Sequence, residues 1–247
     1  MHTIIDPAIL YFGTPVVLVS SLNEDASPNL APMSSAWWLG RSCMLGFGAR
    51  SHTPANILRT GECVLNLPSV AQVAAVNRLA RTTGSDPIPP HKVAMGYRHE
   101  RDKYAVAGLT SVESTMVAPP RVHECPVQLE AVLEGSHPLA AGDPDRCGRL
   151  IALEMRIVRV HVDERIRMDG YEHRIDPSRW RPLIMSFQQF FGLGDMMHHS
   201  TLSEIPEESY RARPVAAAPL SSSHFAARCS SGFGGAIGKS GEKTKRI

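Results

Sequence analysis

Short apolar runs of β type, each ended by turn residues, are the feature that most restricts the fold of this chain. A layered parallel sheet would need a regular alternation of strands and helices, and the sequence lacks it. The pattern favours a mainly β chain with a few helices, closed as a β-barrel. The predicted strands are Val16–Ser20, Asn29–Trp38, Cys43–Phe47, Cys63–Leu67, Val127–Gly135 and Arg149–Val162.

Helical segments are few, and turn residues separate them from the strands. Apolar residues recur at helical spacing from Val70 to Arg81, and residues 53–60 are predicted to form a shorter helix. A turn after the first strand makes residues 16–38 one predicted hairpin. Proline and glycine predict a loop over residues 82–90. Residues 186–191, which are rich in phenylalanine, are expected to be a helix or an aromatic plug.

Composition excludes several classes of protein. The 247 residues can bury a full core, and no apolar run approaches the ~20 residues that a membrane helix needs. The N-terminus has no secretory pattern. Five cysteines without a C-x-x-C pair suit free thiols in a cytoplasmic protein. Histidine spacing predicts no metal site, and the chain lacks a Rossmann glycine motif, a Walker loop and a nucleophile elbow.

Charge divides the chain near residue 210. From Arg211 onward there are seven Lys or Arg and one acid, Glu242, so this segment carries +6 and residues 1–210 carry −4. Residues 1–210 are therefore predicted to be a mildly acidic folded domain without a nucleic-acid-binding face. Residues 211–247 are rich in Ala, Ser, Gly and Pro, and their composition predicts a disordered basic tail.

A polar loop between a strand and a helix is the best binding site that the residues alone suggest. Thr53 suits the N-cap, Pro54 suits the first helical position, and Gly61 ends the helix. The free N–H groups and the dipole at a helix start can hold a phosphate. Arg50, Ser51 and Thr53 add one charge and two hydroxyls there. A phosphorylated ligand is one interpretation, and an ordinary capped surface helix with a solvated arginine is the other.

A series of short motifs follows in order along the chain. The motifs are Thr14–Val19, Pro28–Trp37, Arg50–Ile57, Val64–Pro68, Asp102–Leu109, Ala118–Pro120, Glu124–Val127 and Gly148–Asp163. In order and spacing they resemble the flavin reductase-like, FMN-binding split-barrel family, over roughly residues 7–195. The resemblance implies a Greek-key split β-barrel that forms a homodimer and binds FMN near the subunit interface.

The resemblance also implies which residues bind the cofactor. In that family the segment like Met33–Trp37 runs along the isoalloxazine ring, and the segment like Arg50–Thr53 takes the phosphate. Two further positions, Asn29 and Lys103, touch the flavin in some relatives. The implied cofactor-binding residues are Asn29, Ser34, Ser35, Ala36, Trp37, Arg50, Ser51, Thr53, Asn56 and Lys103.

The implied function is that of an NAD(P)H:flavin oxidoreductase. A nicotinamide would dock on one ring face of FMN and pass a hydride to N5, so the cofactor carries the chemistry and no catalytic side chain is expected. NAD(P)H would be a transient co-substrate, and the electrons would serve a small-molecule substrate or a partner monooxygenase. The alternatives are a non-catalytic FMN-binding or redox-storage protein and a structural barrel with an empty pocket.

Overall fold

Fourteen strands and four α-helices build residues 1–210, the part of the chain that the computed structural model describes. The strands are β1 (Phe12–Pro15), β2 (Val17–Leu22), β3 (Pro28–Met33), β4 (Ala36–Leu39), β5 (Ser42–Gly48), β6 (Glu62–Leu67), β7 (Thr82–Thr83), β8 (Arg98–His99), β9 (Ser111–Val112), β10 (Arg121–Val122), β11 (Val127–Pro138), β12 (Leu150–Val162), β13 (Leu183–Ser186) and β14 (Gln189–Gly192). The helices are α1 (His52–Thr60), α2 (Val73–Leu79), α3 (Pro90–Ala94) and α4 (Lys103–Ala107). Short 3₁₀ turns lie at Val70–Gln72, Glu164–Ile166, Thr201–Glu204 and Glu207–Tyr210.

A seven-stranded antiparallel sheet organises these elements, in the order β3-β2-β6-β11-β12-β5-β4. The two edge strands, β3 and β4, are consecutive in the chain and are joined only by Ser34 and Ser35. Because so short a link spans at most about 10 Å, the sheet must curve until its two edges nearly meet. The mainly β architecture with few helices is therefore confirmed.

Residues 16–38 are not one hairpin, and that prediction was wrong. β2 pairs with β3 from Val17↔Met33 to Leu22↔Pro28, as a hairpin should. After Ser35 the chain leaves this pair, and β4 joins β5 at the opposite edge of the sheet, where Ala36 lies opposite Leu45. The apolar pattern continues through the break because both strands face the core, so the pattern alone hides it.

Two hydrophobic cores lie against the central sheet. Strand β2 shows the division, since Val17 and Val19 belong to one core and Leu18 belongs to the other. Successive side chains of a strand point to opposite faces, so one strand serves both cores. The second core also takes Val76 of α2 and Tyr104 of α4, which brings these two helices onto the same face. The helical spacing predicted over residues 70–81 is confirmed by a 3₁₀ turn followed by α2.

Residues 186–191 do not form a helix. They are the end of β13, a two-residue turn and most of β14, in a hairpin in which β13 pairs with β14 while β1 pairs with the other side of β13. Phe187 and Gln188 both have positive φ, 45° and 64°, which is the backbone of a tight two-residue hairpin turn. Phenylalanine at consecutive positions gave no period by which a strand could be told from a helix.

Helix α1 begins earlier than the sequence predicts. Its N-cap is Ser51, which has extended backbone and whose side chain makes no capping hydrogen bond. Thr53 is the second helical residue and Pro54 is the third, so the predicted roles of Thr53 as N-cap and of Pro54 as first helical residue were both wrong. Gly61 ends the helix with φ 74°, as expected. The Thr53 hydroxyl is instead used in a buried network described below.

The described residues contain no helix that is long and apolar enough to cross a membrane. Cys43, Cys63, Cys125 and Cys147 are free thiols. Within residues 1–210 no group of three or more His, Cys, Asp or Glu could hold a metal ion. The predicted basic tail, residues 211–247, and its Cys229 lie outside the described residues.

Candidate functional site

A cavity of about 930 Å³ lies where the end of β3, the start of α1 and the β13–β14 hairpin come together. Its size suits a cofactor or a substrate of comparable dimensions. The lining divides into a polar side with positive charges and an apolar side. No Asp or Glu is among the residues of the described chain that line it.

The polar side, here called the cationic pole, is built from four separate segments. Ser51, His52 and Thr53 come from the start of α1, Lys92 comes from α3, and Lys103 begins α4. Arg81 and the threonines of β7 form the fourth segment. Because no carboxylate balances these groups within the cavity, the cationic pole is suited to an anion such as a phosphate.

Lys103 is the most deeply placed charge of the cationic pole. Its residue is only 3% exposed, and Nζ donates a 2.9 Å hydrogen bond to Oδ1 of Asn29. Burial, and then the charge of Lys92, lower the pKa of Lys103 to about 8, although Glu100 acts in the opposite direction. Burial also lowers the pKa of Lys92, whose Nζ donates to Oγ1 of Thr83. An anion in the cavity would favour the protonated form of both amines.

A buried network of amides and hydroxyls holds the cationic pole in place. Asn29 Nδ2 donates to the hydroxyls of Ser21 and Thr53, at 3.2 Å each. Asn56 Nδ2 donates to Ser21 Oγ at 3.2 Å and to Asn23 Oδ1 at 3.1 Å. Asn29 thus fixes both Lys103 and the Thr53 hydroxyl, so it positions two groups of the cavity without lining it.

His52 closes the cationic pole beside this network. Its Nε2 donates a 2.7 Å hydrogen bond to Oδ1 of Asn23. Burial, followed by the charges of Lys103 and Lys92, lowers the pKa of His52. The ring packs so closely on Gly84 that a Cβ there would lie 2.5 Å from His52 Cδ2. Gly84 is therefore needed for the close approach of its loop to α1.

The apolar side of the cavity offers a surface for a flat ring. Its members come from β3, β5 and the β13–β14 hairpin, and they are Pro32, Met33, Phe47, Met185 and Phe190. Tyr11 lies at this side, and its hydroxyl shares a 2.8 Å hydrogen bond with Ser35 Oγ. The same cavity therefore contains both the cationic pole and an apolar wall.

Comparison with known proteins assigns the chain to a family. The sequence model described as "Flavin reductase like domain" matches residues 9–194. The chain belongs to the flavin reductase-like family. A member of similar sequence is the uncharacterised protein YdfE of Bacillus subtilis (strain 168), which is 40% identical over 190 residues, 77% of this chain and 88% of that protein.

Solved structures agree with the flavin reductase-like assignment. Nitrilotriacetate monooxygenase component B from Bacillus cereus superposes with a TM-score of 0.61 at 26% identity, over 78% of this chain and 89% of that one. Flavoredoxin of Desulfovibrio vulgaris (Miyazaki F) gives 0.65 at 21% identity, over 83% and 100%. A putative flavin reductase with split barrel domain from Shewanella frigidimarina NCIMB 400 gives 0.58 at 17% identity, over 76% and 86%. The expected Greek-key split β-barrel is confirmed by this likeness, and the family makes this chain a flavin-related oxidoreductase.

Four of the ten cofactor-binding residues predicted from the sequence line the cavity of this flavin reductase-like chain. They are Ser34, Ser51, Thr53 and Lys103. Asn29 and Asn56 are buried directly behind the lining, in the network that holds it. Ser35 reaches the cavity through its bond to Tyr11.

Three predicted residues lie away from the lining. Ala36 is buried in the core of the barrel, whereas Trp37 is 58% exposed and Arg50 is exposed. The structure does not bring the Arg50 charge to the cationic pole. Trp38 packs against the core, so neither tryptophan lines this cavity within residues 1–210.

Sequence reasoning missed Lys92 and Arg81, which supply charge in place of Arg50. They lie on either side of the loop at residues 82–90, where the short parallel pair β7–β8 folds the chain back. Lysine after a proline-rich loop is too common to signal a site. One feature of the sequence does point to this segment: residues 92–98 contain Lys92 and Arg98 but no acidic residue.

Proposed function

We propose that this chain is an FMN-dependent NAD(P)H:flavin oxidoreductase. The observation that carries the proposal is the acid-free cationic pole joined to an apolar wall in one cavity, in a chain of the flavin reductase-like family. The pole suits the FMN phosphate, with Ser51, Thr53, Lys92 and Lys103 as its donors, and the apolar wall suits the isoalloxazine ring. FMN as the flavin is supported by the likeness to an FMN-binding domain of a flavin reductases-like enzyme from Shewanella baltica OS155 (19% identity, TM-score 0.56).

The side chains of the cavity would bind FMN, orient it and shield it from water. When bound, FMN would supply a ring able to accept a hydride from NAD(P)H. Lys103 and the start of α1 would fix the phosphate, and a fixed phosphate determines where the ring lies. Met33, Phe47 and Phe190 would exclude water from the apolar wall.

The test of this proposal is anaerobic reduction of the FMN-loaded protein. With NADH or NADPH, an oxidoreductase loses the yellow absorbance of its flavin within its turnover time. A non-catalytic FMN-binding or redox-storage protein binds FMN but keeps that absorbance when the nicotinamide is added. Free FMN mixed with the same nicotinamide provides the control, because it reports the reaction without protein.

The phosphate should matter for affinity. We expect riboflavin, which lacks the phosphate, to bind more than about tenfold more weakly than FMN, because hydrogen bonds to charged groups contribute roughly 1.5–3 kcal/mol. Flavin fluorescence titration at fixed ionic strength measures both constants. Equal affinities would mean that the phosphate makes no contact with the cationic pole.

We further propose a homodimer whose tail is dispensable. Its support is the exposure of large apolar side chains next to the barrel edge, with Phe12, Trp37 and Leu39 exposed by 72%, 58% and 75%. Monomers seldom leave such a patch in water. Truncation after Tyr210 should leave both the dimer mass and FMN binding unchanged, as measured by light scattering and flavin absorbance. A flavin-loaded monomer would contradict the dimer, and loss of FMN would give the tail a role at the site.

The electron acceptor would be a small-molecule substrate or a partner monooxygenase. The second choice is supported by the likeness to a protein named nitrilotriacetate monooxygenase component B, since that name describes one component of a larger system. We place the protein in the cytoplasm, because the four free thiols within residues 1–210 suit a reducing compartment.

A further inference from the structure

A second cavity, of about 710 Å³, lies apart from the proposed flavin site. None of its lining residues lines the flavin cavity. Arg41 lies at one end of β5 and Phe47, which lines the flavin cavity, lies near the other end. Six residues of extended strand separate them by about 20 Å. The two cavities therefore lie near opposite ends of β5.

Three arginines converge on this second cavity from distant parts of the chain. Arg41 comes from the turn between β4 and β5, and Arg167 and Arg174 come from the loop that follows β12. An isolated antiparallel bridge between Arg167 and Ile175 closes that loop on itself. The three guanidinium groups will be called the arginine cluster. Like charges held close together repel one another, and Arg174 is already paired with Glu207, so an anion between Arg41 and Arg167 would be favourable.

The arginine cluster is only partly satisfied by the protein. Arg41 Nε donates to the carbonyl oxygen of Ile157, and an Nη of Arg167 donates to the carbonyl oxygen of Glu172. Within residues 1–210 neither of these two arginines forms an ion pair. Each guanidinium has five N–H donors, so most donors of both remain free for a ligand.

Buried donors of the same cluster lack acceptors. The Nε atoms of Arg167 and Arg174 are inaccessible to solvent and have no hydrogen-bond partner in the described chain. Arg174 Nε does lie 3.2 Å from a carboxylate oxygen of Glu207, but without the alignment of a hydrogen bond. Because these two Nε atoms are closed off from solvent, a ligand in the open cavity would meet the Nη groups of the two arginines instead.

The remaining walls indicate the kind of anion. Val160, Val162 and Ile175 give the cavity an apolar side, which inorganic ions do not need. The one lining acid, Glu172, is 84% exposed at its side chain, so it does not fill the interior. Guanidinium groups match carboxylates and phosphates with paired hydrogen bonds.

We propose that the arginine cluster binds a small organic anion through a carboxylate or phosphate group, with the body of the ligand against the apolar wall. This site is independent of the proposed function, because it shares no residue with the flavin cavity. It gives the protein a second ligand whose binding does not require the flavin.

Isothermal titration of the FMN-saturated protein with citrate, and separately with inorganic phosphate, tests this site at constant ionic strength. FMN keeps either anion out of the cationic pole. We expect saturable binding of at least one probe. Binding of citrate alone identifies a carboxylate ligand, and binding of phosphate alone identifies a phosphate ester. Failure of both probes would overturn the proposal, and it would leave the proposed flavin function untouched.

Variants locate the binding. Arg41→Gln and Arg167→Gln should each weaken binding of the anion by about tenfold or more. Arg167→Lys should lose less affinity because it keeps the charge. Arg146→Gln is the matched control, since Arg146 is exposed and lies outside both cavities. Arg41 is exposed, so its variant should fold even if the loop variants do not. Unchanged binding in Arg41→Gln, equal weakening in the control, or a change of oligomeric mass in Arg41→Gln would each overturn the proposal.

Discussion

Replacing Lys103 with methionine should weaken FMN binding by about tenfold or more and leave riboflavin binding nearly unchanged. The amine is buried at the cationic pole, where a charge-assisted hydrogen bond to phosphate contributes roughly 1.5–3 kcal/mol. Riboflavin has no phosphate, so its affinity should not change when the contact between Lys103 and the phosphate is removed. Methionine keeps the unbranched apolar stem of lysine and is one atom shorter, which limits damage to the surrounding packing. Flavin fluorescence titrations of FMN and riboflavin with the wild type and with Lys103→Met give the four dissociation constants that this comparison needs.

Arg50→Ala is the matched control for this experiment, because Arg50 is exposed and does not line the cavity. It should change the ratio of FMN to riboflavin affinity far less than Lys103→Met does. A larger effect from Arg50 would mean that the phosphate lies outside the cationic pole, on the loop before α1.

The same lysine predicts a pH dependence of FMN binding. In the free protein the pKa of Lys103 is about 8, so the amine loses its proton as pH rises through this value. FMN affinity should fall over that range, while the phosphate itself stays dianionic above its second pKa of about 6. In Lys103→Met the fall that begins near pH 8 should disappear. A fall that persists in the variant would assign the titration to another group.

Glu130→Ala should produce the largest loss of stability of any substitution discussed, about 3 kcal/mol or more. The carboxylate is fully buried and accepts hydrogen bonds from the backbone N–H groups of Thr115, Met116 and Val117. It also accepts a 2.6 Å bond from Nε2 of His161. Without it, the loop before β10 loses its anchor and three backbone N–H groups lose their acceptor, that of the buried Val117 among them. Urea denaturation followed by circular dichroism measures the difference.

The direction of the Glu130 pKa shift adds an acid-stability prediction. Burial alone would raise its pKa, but the hydrogen bonds from Thr115, His161 and Met116 outweigh burial and lower the pKa to about 2. A carboxyl with a lowered folded-state pKa contributes full stability above its unfolded value, 4.5, and that contribution is lost as pH falls toward 2. Glu130→Gln should lose this part of the acid dependence. Equal acid dependence in the wild type and the variant would contradict the assignment. Glu134→Gln, on the same strand with a partly exposed side chain, is the control.

The strands of the barrel could be predicted from the sequence, but the partner of each strand could not. Alternation along β12 was clear because Leu153, Met155 and Ile157 all enter the core on one face. Closure of the barrel at Ser34–Ser35 was hidden, because β3 and β4 both carry core residues and only the sheet order separates them. Pairing depends on contacts distant in sequence, which a local pattern does not contain.

The absence of distant contacts from a local pattern also explains which residues of the candidate site could be predicted. Lys103 was found because its neighbours matched a family motif, and its burial against Asn29 became visible only in the fold. Arg50 was chosen because it precedes a helix start, but a side chain at that place turns to solvent as easily as to the cavity. Lys92 was missed because the pair β7–β8 determines where its loop lies, and strands of two residues leave no periodic pattern.

We expect one cavity to hold FMN, with its phosphate at the cationic pole and its ring against the apolar wall. A crystal structure of the FMN complex measures this directly. It should show phosphate oxygens within hydrogen-bond distance of Lys103 Nζ and of the hydroxyls of Ser51 or Thr53, with the ring beside Met33 and Phe47. A phosphate bound at the exposed Arg50, or at the arginine cluster near Arg41, would contradict it.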